Sequence, residues 1–485
     1  APIINSSHFF GFFSAFNSDL ITDVTLFKSG MPAKYGGRLS SVMEIVPAEG
    51  NREKTKVSGG ISPVTGRLMI DGPLVKDKVS FIIGARTTYS DWLLGMLNDE
   101  RLKKSTAGFY DLQGTLTADI DKKNSVSLSG YHSDDRFDYY LESGFKYGNT
   151  AATLKWKHSF GERLTAQYFA ILSNYSYRLT SSADSVEANN TYYNLSQKIG
   201  RADFTFLSSS KNRMEFGVDA TLYSLEPGRR EPLGDWSEAI PLELQGEKAL
   251  EPSLYLSDEL EITPWLSVTA GIRGTLYTSL GPRREFIYAE GMPRRRENIT
   301  DTVTIGAGKT ESLYPGLDFR FSSRFMLSGS ASVKIGAQRA FQYLHMISNT
   351  TSMSPVDIWK LSDTYIRPQR GDQVSAGFYM NLDRRALETS VEGYYKWLTN
   401  TLDYKGGAEL LMNPALETDI INGDGKAYGV ELMVKKQSGS VTGWVSYTYS
   451  RVFLKVDGQF EEEKVNRGNW FPANYDKPHD LKLVV

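Results

Sequence analysis

The stretch LSVTAGI, residues 266–272, sets Leu266, Val268, Ala270 and Ile272 against Ser267, Thr269 and Gly271. A period of two predicts an extended strand with one apolar and one wet face. The same alternation recurs on both sides of it. Residues 125–131 read SVSLSGY, and 325–335 set Leu327, Ala331, Val333 and Ile335 against Ser328, Ser330, Ser332 and Lys334. Leu387, Thr389 and Val391 interleave with Glu388, Ser390 and Glu392, and Val441, Val445, Tyr447 and Tyr449 with Thr442, Ser446, Thr448 and Ser450. These runs cover roughly 9 to 14 residues. Soluble strands peak near ~5–6, whereas a tilted membrane strand needs about 9 to 11. Helical periodicity is confined to Asp91–Lys104, where Trp92, Leu93, Met96 and Leu97 predict one short helix.

The connections alternate short and long. The short ones lie at 72–78, 121–124, 161–163, 209–212, 263–264, 322–324, 383–385 and 437–440, rich in Gly, Asp, Asn, Ser and charge. Between them come longer irregular segments at 88–106, 134–146, 179–190, 225–247, 277–307, 338–365, 403–422 and 451–476. Tight turns at one end and long loops at the other are the pattern of an outer-membrane barrel. The alternation gives roughly 18 strands after residue 53. An open sheet edge in hydrocarbon costs several kcal/mol per unpaired group, so closure is expected from strands outside this sequence.

Composition agrees. The 485 residues carry 55 Lys+Arg against 57 Asp+Glu, a net charge of −2, which is no basis for nucleic-acid binding. With no cysteine, disulfides and thiolate metal sites are excluded. A 12% aromatic content at a mean hydropathy of −0.36 suits a chain in which every second residue meets lipid. There is no run of about 18 uncharged apolar residues, so no transmembrane helix is expected. No leader precedes Ala1, which reads as a signal peptide removed or, the favoured reading, a start inside a larger protein; the chain closes on LKLVV, so both ends read as cut.

Residues 8–46 break the alternation. They offer a helical stretch at 18–21, a strand at 23–28, a Gly-Met-Pro turn, Tyr35-Gly36-Gly37 and a closing strand at 41–45. The two glycines permit close backbone approach or positive φ. The string FGFFSAFNSDLITDVTLFKSGMPAKYGGRLSSVMEI resembles the end of the plug domain of TonB-dependent outer-membrane receptors, in the version abundant in Bacteroidota. GRLMIDGPLVKDKVSFIIGARTTYSDWLL resembles that family's second and third barrel strands, and GDGKAYGVELMVKKQSGSVTGWVSYTYS a late hairpin. NYDKPHDLKLVV resembles the strand carrying Tyr-Asp-x-x-His. The resemblance implies an all-β fold: a transmembrane antiparallel β-barrel of about 22 strands, about 18 of them present here, with the C-terminal part of an α+β plug at its N-terminus. Residues 1–50 would be that plug part and 51–485 the truncated barrel. The implied function is energised uptake of a scarce nutrient (glycan, peptide, siderophore or similar), in the manner of SusC-like receptors. The implied location is the Gram-negative outer membrane, and the alternative role is a structural or assembly component of an outer-membrane complex. Implied partners are outer-membrane lipid and lipopolysaccharide, the TonB complex through an absent N-terminal region, and a SusD-like surface lipoprotein or other outer-membrane proteins.

No catalytic fingerprint, paired-His spacing or cofactor motif occurs, so no enzyme, metal or cofactor is expected. The basic loop 282–296, with Arg294 and Arg295, offers charge to an anionic ligand, against a reading as a solvated loop. Trp359 and Trp470 on long segments offer stacking faces, against packing roles. Tyr139-Tyr140, Tyr175 and Tyr177, Tyr192-Tyr193, and Tyr394-Tyr395 with Trp397 read as interface girdles. Arg38, after the Tyr-Gly-Gly of the resembled plug, is a candidate lock to the wall through Glu388, Glu392 or Glu431, against a reading as a solvated side chain in a wet lumen.

Overall fold

A computed structural model describes residues 1–347, 354, 356–382 and 386–485. The wall is one antiparallel sheet, curled into a barrel, in which each long strand pairs with its sequence neighbour. It starts with Lys56–Ile61, Thr65–Val75, Val79–Thr88, Thr106–Asp119, Asn124–Tyr139 and Ser143–Ser159. It continues through Leu164–Ser181, Asn189–Ser209, Asn212–Pro232, Glu247–Thr263, Leu266–Leu280 and Thr310–Met326. Ala331–Gln342, Gln369–Leu382, Leu387–Tyr404, Ile420–Lys436, Gly443–Lys455 and His479–Val484 complete it. Among the described residues no helix is long and apolar enough to cross a membrane.

The alternation of 266–272 now acquires a direction. Leu254 and Leu317, both 62% exposed, point outward with Ile272, Phe319, Val430 and Leu432. Their neighbours Tyr255, Arg273, Asp318 and Arg320 point inward and are buried. Apolar outside and charged inside inverts a soluble protein, and at about 25 cal/mol per Å² such a surface needs hydrocarbon around it.

Residues 1–50 occupy part of the lumen. Ser7–His8 pairs with Phe13–Ser14, and a 3₁₀ turn at Ser18–Leu20 follows, with the Asn17 side chain accepting from Asp19 N at 3.1 Å. Ile21–Phe27 then pairs antiparallel with Val42–Pro47.

Several expectations from the sequence need correcting. The helix expected over Asp91–Lys104 is two, Asp91–Gly95 and Glu100–Lys104, because the Asp99 carboxylate accepts from Arg101 N and Leu102 N and starts a new helix there. Residues 322–324 are not a turn but ladder residues facing Thr269, Val268 and Ser267. The turn lies at 327–330, where Ser328 Oγ accepts from Ser330 N and Ala331 N, and it splits the strand expected over 325–335. The loop expected at 134–146 shrinks to 140–142, since the flanking strands run to Tyr139 and from Ser143. Tyr175, Tyr177 and Tyr193 form no girdle; all three are buried in the lumen. Of the expected girdle, Tyr395 and Trp397 do lie on the outward face, in a row with Tyr428 and Phe453, and Tyr395 and Tyr428 stack at 5.9 Å. The turn expected at 383–385 lies outside the described residues.

Candidate functional site

The lumen is occupied from two directions, and the contacts are mostly polar. From the N-terminal side, the turn around Tyr35-Gly36-Gly37 rests on arginines of the wall. Arg320 donates to the carbonyls of Pro32 and Tyr35, the latter at 2.6 Å, and to Asp318 at 3.1 Å. Arg273 forms a two-pronged pair with Asp219, both contacts 2.8 Å, and reaches Lys34 O at 3.4 Å. A Cβ at Gly36 would collide with the Arg273 guanidinium, and Gly37 has φ +72°. The first glycine serves close approach and the second left-handed backbone. Tyr35 lies under the Arg201 guanidinium, 5.6 Å from ring centre. Lys396 Nζ donates to Leu39 O at 3.0 Å.

From the long-loop end, Leu344–Met346 pairs with Trp359–Leu361 as a small hairpin folded into the lumen. Tyr277 OH donates to Ser362 O and Tyr314 OH to Asp363 O, both at 2.8 Å. Beneath it lies a layer of tyrosines, with Tyr177 stacked on Tyr193 at 4.8 Å and Tyr277 on Tyr343 at 4.7 Å. A buried charge network pins the hairpin. Lys360 Nζ is 2.7 Å from both Glu247 and Asp363, and Arg283 is 2.9 Å from Asp363 and 3.4 Å from Glu311. Burial alone would favour neutral Lys360, but Asp363 and Glu247 outweigh it and raise its pKa. Against its own burial, Lys360 and Arg283 hold Asp363 well below the usual carboxylate range. His345 is pushed down to about 3 by burial, then by Lys360 and Arg38.

The arrangement corrects the expected lock. Arg38 donates to Gly37 O at 3.1 Å and Leu344 O at 3.5 Å, and its guanidinium lies 5.8 Å from the Trp359 ring centre. No carboxylate lies within ion-pair distance of Arg38 among the described residues, because its side chain turns toward the hairpin. Glu431 is taken by Lys28 of the N-terminal segment instead. Glu388 meets Lys435 at 3.7 Å and Gln437, and Glu392 faces Tyr379 within the wall.

The expected ligand residues are not brought together. Trp359 packs in the lumen, with its backbone N–H donating to Tyr193 OH at 3.2 Å. Arg294 sits 5.5 Å from the Tyr365 ring centre. Arg295 pairs with Glu462, whose pKa it and Lys405 draw down to about 2. Trp470, 41% exposed, carries Lys426 Nζ at 4.3 Å from its ring centre. None of the four lines the larger cavity, of about 1270 Å³, where Lys146, Arg178, Tyr192, Arg229 and Arg284 meet. A second cavity of about 310 Å³ separates Phe27–Lys34 from the wall near Arg213, Glu259 and Arg320. Sequence reasoning missed Arg273 and Arg320, although each sits on the wet face of an apolar strand, a signal in itself. It also missed Lys360, for which no local signal exists.

An outward apolar wall around a polar, filled lumen defines an outer-membrane receptor or transporter barrel. The chain belongs to the family of TonB-dependent receptor-like β-barrels, whose model matches residues 88–478. This places it in the outer membrane of Gram-negative bacteria. A comparison with curated protein sequences returned no match. Among solved structures, the alcaligin outer-membrane receptor FauA from Bordetella pertussis superposes with a TM-score of 0.63 at 12% identity, covering 96% of this chain and 71% of that one. The copper transporter OprC gives a TM-score of 0.68 at 11% identity, covering 94% and 70%. The unliganded ferric citrate transporter FecA gives 0.67 at 14%, covering 97% and 69%. The structures matched are receptors and transporters, not enzymes.

Proposed function

We propose that this chain is the wall and the last part of the plug of an energised receptor. It would bind a scarce nutrient (glycan, peptide or siderophore) at the long-loop end and release it inward after residues 1–50 move. One observation carries this reading. The N-terminal segment is held by hydrogen bonds and ion pairs to Arg273, Arg320, Lys396 and Glu431, groups that water can solvate as the segment leaves. Such contacts yield one at a time, a hydrogen bond to a charged group being worth net about 1.5–3 kcal/mol, so a pull could free the segment without unfolding the wall. The proteins of similar fold bear names that span alcaligin, ferric citrate and copper, so fold alone selects no cargo. TonB would be the energy source, acting through a region N-terminal to this chain. Outer-membrane lipid and lipopolysaccharide would surround the wall, and a SusD-like lipoprotein of a Bacteroidota system would sit at the loop end.

The test is deletion of the gene in its host, followed by growth on single limiting nutrients with and without active TonB. Loss of growth on one nutrient, reproduced by loss of TonB, is expected. Unchanged uptake of every nutrient with a disturbed outer-membrane assembly would favour the structural role instead.

A further inference from the structure

His8 is 1% exposed and lies between two carboxylates of different wall strands. Its Nδ1 is 2.7 Å from Asp135, on Asn124–Tyr139, and its Nε2 is 3.4 Å from Asp111, on Thr106–Asp119. The ring stacks on Phe109 at 4.1 Å with an interplanar angle of 7°. Arg86, on Val79–Thr88, meets Asp111 at 2.7 Å and donates to Ser14 O at 2.7 Å. Tyr131 and Tyr147 complete the surroundings, and Asp135 also accepts from Phe9 N at 3.1 Å. The charges balance while the His8–Asp135 pair, 2.7 Å apart, keeps one proton between them: two carboxylates against one guanidinium and one imidazolium, or one carboxylate against the guanidinium. Once that proton is lost, one buried negative charge has no counter-ion, a costly state.

We propose that His8 is a proton-operated clamp that staples residues 1–16 to the lumen wall when charged and lets them go when neutral. The staple joins three consecutive wall strands to the segment that any pull from the N-terminal side would reach first. Its consequence is a docked state that depends on pH. Burial by itself would lower the His8 pKa, but Asp111 and Asp135 outweigh it, and the net direction is up. The stabilisation is thus full below the ordinary histidine value of about 6.5 and is lost as pH rises through the higher docked value.

The sequence contains no cysteine, so a single introduced thiol is unambiguous. Ala15 is buried against Tyr131 and Ala151 when the segment is docked. We would measure maleimide labelling of Ala15→Cys in the full chain, divided by that of Lys123→Cys on an exposed turn to cancel thiolate chemistry. Between pH 6 and pH 9 the ratio should rise at least about tenfold, the loss expected for one pH unit past a titration. His8→Gln should label fast at every pH, and His8→Lys slowly at every pH. A ratio flat with pH in the parent, or His8→Gln labelled as slowly as the parent at pH 6, would overturn the clamp. Hydrogen exchange of the Ala15 amide, which donates to Ser6 O at 3.0 Å, follows the same release without a cysteine. A flat response alongside intact energised uptake would remove the clamp and leave the receptor reading standing.

Discussion

Lys360 and Asp363 meet at 2.7 Å in the lumen hairpin and the loop after it, where both side chains are almost sealed from water. The pair bolts the lumen rather than decorating a surface, because Glu247, Arg283 and Glu311 join it and link the wall strands and their loops to one hairpin.

Lys360→Met would leave Glu247 and part of Asp363 buried without a cation. Removing one partner of such a network costs about 3–5 kcal/mol. The expected result is a lower thermal midpoint and, in planar bilayers, a rise in open-channel events. A midpoint within a degree of the parent would show that the network holds nothing.

Gly36 and Gly37 are needed for different reasons, and substitution should separate them. Gly36→Ala forces the Arg273 guanidinium off Asp219, at about 1–3 kcal/mol, the range for overpacking. Gly37→Ala strains a left-handed residue at about 1–2 kcal/mol. Gly406→Ala meets open space and should be neutral. Urea midpoints of the three variants would rank them in that order if the geometry is right.

His345 gives a pH dependence of opposite sign to that of His8. Its pKa is pushed down to about 3, so the unfolded chain takes a proton near 6.5 that the folded chain refuses. Stability should fall as pH drops from about 6.5 toward 3, by up to about 1.4 kcal/mol per unit. His345→Gln should flatten that slope relative to the parent; an unchanged slope would mean that the ring is not sealed from solvent.

Arg320→Met should loosen residues 30–36, since the carbonyls of Pro32 and Tyr35 lose a charged donor. Hydrogen exchange there should quicken about tenfold, the equivalent of about 1.4 kcal/mol. Among the described residues Glu388 pairs with Lys435 and Gln437, away from residues 30–36, and Glu388→Gln should leave that exchange unchanged. A reversed pattern would restore the expectation that Arg38 is locked to Glu388.

The wall is readable in the sequence because hydrocarbon outside and water inside force period two onto every strand. What stays hidden depends on partners far along the chain. Ser133-Asp134-Asp135-Arg136 looks like a loop in isolation, yet it is strand because Asp135 has His8 waiting inside. Ser322-Ser323-Arg324 has the composition of a turn and is held in register by Val268 and its neighbours. Tyr175, Tyr177 and Tyr193 carry the same aromatic signal as a girdle, and only burial under the 359–361 hairpin tells them apart. In the site, the adjacent glycines of Tyr35-Gly36-Gly37 mark a special backbone locally, whereas the partner of Arg38 lies some 300 residues away and leaves no local mark. Nothing near Lys360 in the sequence announces a buried cation.

The most direct check of the membrane barrel is a nitroxide scan of residues 426–434 in reconstituted vesicles, with oxygen and a nickel chelate as paired relaxation agents. Collisions with oxygen should peak at 430, 432 and 434, and collisions with nickel should not follow them. If 430, 432 and 434 were shielded from both agents, as inside a protein–protein sandwich, the greasy outer face would belong to another layer of protein and the barrel would be gone.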